Sequence, residues 1–282
     1  MVYGNKMFHE IEEMFNRAWR LAFSRKRCLL VFATLIASGV LIVFFRTLSV
    51  DANSWVLMSL SFLPMFLCTG LFLGTGVLLT RMYYHEVKGN DFDLRRLLVD
   101  SFEVFMGAAY LCFPLILGYL ALWVIMGVFY LLRSIPQIGE GLGILFSFGP
   151  FLIMLASILL GVLGLLLLFY ATPHIALKKH VHFEIGKEVL GRLRVSPLKN
   201  IILLIIGILP LLVSIGFLTL AAVLTGASYI SAEAALGVSL QWFFIMVPFA
   251  FLLTPSVVFF FNFAMESFGF TQRKKEACVL QS

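Results

Sequence analysis

Side chains capable of chemistry gather at two places in the 282-residue chain. His174, His180, His182 and Glu184 form the histidine cluster, and His180-x-His182-x-Glu184 would converge three metal ligands on an extended strand. On a helix, however, a spacing of two turns side chains to different faces. No Cys or Asp stands nearby to complete a shell, and Lys178 and Lys179 are adjacent, so a basic segment touching lipid headgroups is the expected role. His85, Glu86, Asp91, Asp93 and Asp100 form an acidic island, where carboxylates near an interface would hold a cation against a phosphate. Their spacing matches no ligand template. Acidity at a helix start, or ion pairing with Arg95 and Arg96, accounts for them at less cost.

The sequence contains no Ser-His-Asp constellation, P-loop or Gly-rich nucleotide fingerprint. Cys28, Cys68, Cys112 and Cys278 lack paired spacing, and the first three fall in or beside apolar segments, which suits packing thiols. We therefore expect no catalytic residue, no metal ligand and no cofactor, and a protein that is not an enzyme.

The elements that would position these residues are written in the hydropathy. Hydrophobic residues make up 61% of the chain and charged residues 13%, with a mean hydropathy of +1.01, outside the range of soluble domains. Six stretches free of Asp, Glu, Lys and Arg stand out, at 28–45, 55–80, 104–132, 141–173, 200–232 and 234–265. Each reaches or approaches the ~20 apolar residues that cross a hydrocarbon core of about 30 Å. Backbone in lipid must satisfy its own hydrogen bonds, and uninterrupted Leu, Ile and Phe runs do not alternate as barrel strands do. The fold class expected is all-α, a polytopic bundle in one membrane domain over 1–282, with spans near 28–45, 55–80, 104–132, 143–172, 200–224 and 237–263. No charge lies within those stretches, which argues against proton relays and ion pathways. Pro64, Pro114, Pro150, Pro210, Pro248 and Pro255 are read as bends in over-long helices. Gly70-x-x-x-Gly74 and Ser157-x-x-x-Gly161 are read as packing within the chain, and Gln241 and Asn262 as polar links between helices.

Lys and Arg set the orientation. Residues 1–27 carry six, 81–103 four, 174–199 six and 266–282 three of the 21, leaving only Arg46 and Arg133 in the intervening turns. The basic side, with both termini and the tail 266–282, is expected in the cytoplasm. Topology thus accounts for the net charge of +6, and nucleic acid is not an expected partner.

Each basic island has helical periodicity. Phe8, Ile11, Phe15, Ala18 and Ala22 recur at helical spacing in 1–27; Leu94, Leu98, Phe102 and Phe105 do so after Gly89-Asn90; Ile185, Val189 and Leu193 do so before Pro197. Each predicts a cytoplasmic amphipathic helix lying at the interface. Arg20-Leu21-Ala22-Phe23-Ser24, Arg96-Leu97-Leu98-Val99-Asp100 and Arg192-Leu193-Arg194-Val195-Ser196 share R-L-x-[FV]-[SD], each Arg eight residues before a membrane stretch. The spacing predicts three parallel copies of an interfacial helix and a transmembrane hairpin. Independent convergence of three membrane entries on Arg-Leu would give the same pattern.

The third entry reads Arg192-Leu-Arg-Val-Ser-Pro-Leu-Lys-Asn200 and runs straight into Ile201-Ile-Leu-Leu. Together with hydropathy and helix order over most of the chain, it resembles bacterial six-helix inner-membrane proteins related to the membrane domain of glycerophosphodiester phosphodiesterases and to YciC-type proteins. The resemblance implies location and architecture; the phosphodiesterase activity belongs to a separate soluble domain that this sequence does not contain. The expected function is that of a non-enzymatic protein that contacts membrane lipid, anionic lipid in particular, or assembles with an unidentified protein. Arg20, Arg96, Arg192, Lys178 and Lys179 would meet the headgroups. A facilitator for an apolar or zwitterionic solute is the alternative, and a lipid-modifying enzyme using the acidic island or the histidines ranks last.

Overall fold

The computed structural model describes residues 2–50, 52, 54–89, 104–177, 191, 197–225 and 235–279. Seven helices are numbered here in chain order: α1 (Val2–Arg20), α2 (Arg25–Leu48), α3 (Ser54–Val87), α4 (Phe113–Ser134), α5 (Pro136–Leu177), α6 (Pro197–Leu224) and α7 (Ala235–Val279). No strand occurs among the described residues. Six spans are long and apolar enough to cross a membrane: Arg25–Leu48, Ser59–Val87, Val104–Leu132, Phe148–Leu177, Leu198–Leu224 and Leu236–Gln272. The interfacial helices read near 94–105 and 185–193 lie outside the described residues, apart from a helical segment at 104–110 and the helical Gly191.

α3 and α7 overrun the charge-free stretches. α3 continues through Arg81 and Glu86 to Val87, and Gly89 just beyond takes a φ of +69°, which glycine adopts without steric cost. α7 passes through the tail read as starting at 266 and reaches Val279, 45 residues in all or about 68 Å. Proline breaks the third span. The helical segment at 104–110 closes with Leu111 and Cys112 amides bonding three residues back, and α4 starts afresh with Pro114 in its first turn, where its missing N–H costs nothing. Ile135 alone separates α4 from α5; its extended ψ of 116° is what a following proline imposes.

Directions follow from the contacts. α2 and α7 run antiparallel, touching at Arg27 and Asn262, at Gly39 and Met246, and at Thr47 and Ser239. α3, α5 and α7 run parallel to one another: Thr69 meets Gly164, Gly76 meets Thr172 and Phe261, Arg81 meets Ala176, and His174 meets Phe268. The core lies toward the end where α1 sits, and is formed by Leu79, Phe169, Tyr170 and the run Val257–Ala264, with Ile11, Met14 and Ala18 of α1 packed in. Glu12, Glu13, Asn16, Arg17 and Arg20 on α1 stay exposed.

Glycines let the three parallel helices meet. A Cβ on Gly76 would overlap the Phe261 ring and stand 2.7 Å from Thr172 Cγ2. Gly76→Ala is therefore expected to lower stability by about 1–3 kcal/mol, read as a lower unfolding temperature in detergent; an unchanged temperature would mean the three helices are not that close. Gly70 and Gly74 receive Cys112 and Phe105 of the broken third span, the intrachain packing their spacing suggested. A Cβ on Gly161, by contrast, would meet nothing within 4 Å among the described residues, so its pairing with Ser157 is not used there for close approach.

Candidate functional site

The residues that converge most tightly are charged, and they lie where α1 covers the ends of the spans. α2 starts after Ser24, which holds an extended backbone (φ −63°, ψ 121°). At 100° per residue the next three side chains fan around the helix: Arg25 and Lys26 face outward, while Arg27 turns inward and is fully buried. Arg27 Nη2 donates to the Glu86 carboxylate in the last turn of α3. Its Nη1 donates to Asn262 Oδ1 on α7 at 3.2 Å, and to the Leu21 carbonyl at 3.5 Å. The guanidinium also lies 5.1 Å from the centre of the Tyr83 ring, within cation–π range.

A second pair extends the first. Tyr83 donates its hydroxyl to the Glu266 carboxylate, and Arg17 of α1 reaches the same carboxylate at 3.3 Å. Asn262 Nδ2 donates to the Ala18 carbonyl at 3.3 Å. Two arginines and two glutamates, with a tyrosine and an asparagine between them, thus tie α1, α2, α3 and α7 together with no net charge. Only Arg27 is fully withdrawn from water, which costs several kcal/mol unless the charge is paired; Glu86 supplies that partner while staying 39% exposed, and Glu266, 13% exposed, is paired with the half-exposed Arg17. The physical effect is a clamp that fixes α1 and the ends of three spans relative to one another.

Searches of protein-family models, curated proteins and solved structures found no match. The geometry of the chain itself therefore carries the functional argument.

Of the headgroup residues read from the sequence, Arg20 ends α1 and is exposed; Arg96, Arg192, Lys178 and Lys179 lie outside the described residues. The histidine cluster is divided: His174 is fully buried near the end of α5 with its ring edge-on to Phe268, while His180, His182 and Glu184 are outside the described residues. In the acidic island, Glu86 pairs with Arg27 rather than serving a cation, and Asp91, Asp93 and Asp100 are not described. Among the described residues no three His, Cys, Asp or Glu side chains come together to hold a metal. Asn262 does link helices, as its place in an apolar span suggested. Arg27, Arg17 and Glu266 were missed. Arg27 and Glu266 flank charge-free stretches and Arg17 lies within α1, and counting the arginines only for topology concealed their role; an Arg in the first turn of a span, opposed by acids at the far end of others, was the available signal.

Two small cavities lie between helices. One, of about 10 Å³, is bordered by Tyr170, Pro173, Asn200, Ser267 and Thr271. The other, of about 20 Å³, is bordered by Ser59, Tyr119, Trp123, Pro150 and Ser157. Such volumes suit a single water.

Proposed function

We propose that this chain is a non-enzymatic multi-pass protein of a bacterial inner membrane, with both termini cytoplasmic, that works by contacting anionic lipid and presenting a fixed assembly surface at that leaflet. One observation carries the reading: the Arg27–Glu86 and Arg17–Glu266 clamp holds α1 across the span ends while leaving Arg20 and its neighbours exposed. A helix so held presents its outward cations in a constant arrangement. The Lys and Arg bias supports the orientation. Fusion of green fluorescent protein to the C-terminus is expected to fluoresce in cells, and activity of a C-terminal alkaline phosphatase fusion would reverse the assignment.

Three repeats of an interfacial helix and a hairpin suit the packing. Consecutive spans touch in antiparallel fashion, Thr34 with Thr75, Phe129 with Gly149 and Ser214 with Ser256. The second members of the three pairs, α3, α5 and α7, are the mutually parallel helices, as rotation about an axis along the membrane normal would make them. The resemblance to six-helix inner-membrane proteins fits the third entry, where Asn200 is buried in the first turn of α6 and its carbonyl accepts from Tyr170 at 2.7 Å.

Purified full-length protein in nanodiscs of mixed phosphatidylglycerol and phosphatidylcholine is expected to retain the anionic lipid selectively in native mass spectrometry. Equal retention of both would end the lipid-contacting reading. The facilitator alternative requires a cavity reaching a face of the bundle, and the two cavities described give it no support; solute flux into proteoliposomes above that of protein-free vesicles would revive it.

A further inference from the structure

We infer that the corner between α1 and α2 is a binding site for the phosphate of an anionic phospholipid, formed by Arg20 and Arg25 with Trp19 and Phe23. The inference rests on the lipid-contacting reading and names its site. Arg20, Arg25 and Lys26 are all exposed within seven residues of sequence, while the neighbouring Arg27 is turned inward and neutralised by Glu86. The clamp thus divides one basic run in two: its innermost member holds the bundle, and the outer members face away from it.

Aromatic rings mark the depth. Phe15 and Trp19 of α1 and Phe23 in the turn after it form a ladder, with successive centroids 6.2 Å and 5.7 Å apart. Phe259 of α7 anchors it, 4.9 Å from Phe15 and 5.6 Å from Trp19. Trp19 is 43% and Phe23 58% exposed despite this. Large rings left exposed beside cations, where a membrane span begins, occupy the position of an interfacial belt, with the rings among acyl chain ends and the cations at headgroup level. Leu29, one turn into α2, is 72% exposed and continues the apolar surface into the hydrocarbon. An acidic soluble partner would complement the charges, but not the rings or the apolar surface below them. Glu12 and Glu13, the exposed acids of α1, lie about two turns from Arg20, and Glu86, the partly exposed acid beside the corner, is paired with Arg27, so Arg20 and Arg25 leave the corner net basic.

Each juxtamembrane Lys or Arg contributes about 1 kcal/mol near an anionic leaflet, equivalent to about fivefold in affinity. Full-length wild type, Arg20→Ala/Arg25→Ala and Arg20→Lys/Arg25→Lys, each in nanodiscs with graded phosphatidylglycerol, are to be compared by native mass spectrometry. We expect the alanine pair to weaken phosphatidylglycerol retention about 25-fold, and the lysine pair to keep most of it. Since both arginines are exposed, unfolding temperatures should agree between variants. If the wild type selects phosphatidylglycerol and the alanine pair selects it equally, the site is elsewhere and this inference fails while the broader reading stands. If the wild type does not select it, the broader reading fails and the inference with it.

Discussion

Glu86→Ala is expected to destabilise the protein by about 3–5 kcal/mol, and by more than Arg27→Met. The two residues form one ion pair, but their surroundings differ: the Arg27 side chain is fully buried, whereas that of Glu86 is 39% exposed. Removing the carboxylate strands a guanidinium in the core, with only Asn262 and the Leu21 carbonyl to accept from it among the described residues. Removing the guanidinium leaves a carboxylate that water already reaches. A methionine in its place would fill much of the same volume and give up the cation–π contact with Tyr83. The double variant Arg27→Met/Glu86→Ala should recover most of the loss, since neither charge remains. Reversible unfolding in mixed micelles of increasing denaturing detergent measures all three, and an equal or inverted order of the single variants would refute the account of the clamp.

The second large effect is expected at Phe169. Its ring lies between α5, α6 and α7, 5.5 Å from Phe260, 6.4 Å from Phe263 and close enough to Gly207 that a Cβ there would stand 2.8 Å away. Phe169→Ala should cost about 3 kcal/mol, the low end for phenylalanine truncation in a core. The low end applies because the unfolded reference in a lipid-like medium is also apolar, leaving lost dispersion contact and the cavity as the main costs. The same micelle titration reads it. A loss below about 1 kcal/mol would show that the three helices collapse readily around the gap.

Why the spans were legible in the sequence and the clamp was not is a matter of which signal each leaves. A span announces itself in a single stretch of chain: 200–224 has no charge, and α6 occupies Pro197–Leu224. Asn262 was legible as a link because a lone amide among phenylalanines needs partners. Arg27 and Glu86, by contrast, stand 59 residues apart, and each looks locally like an ordinary juxtamembrane charge. Only the packing of α2 on α3 brings them together. The break at Leu111-Cys112 was hidden for another reason: Pro114 fits equally well within a bent helix or at the start of a new one, and the choice depends on how Gly70 and Gly74 accept the third span.

The shared direction of α3, α5 and α7 has an electrostatic consequence. Helix dipoles place partial negative charge at C-termini and partial positive charge at N-termini. At the α1 end α3 and α5 terminate and present carbonyls, while α2 and α6 begin beside them and present amides; α7 runs on past that end to Val279. The carbonyl ends of α3 and α5 therefore favour cations, and the amide ends of α2 and α6 favour anions. Arg81 follows this, its Nε donating to the Ala176 carbonyl in the last turn of α5 at 3.2 Å. An anion near that end would be drawn to the starts of α2 and α6 by the same dipoles.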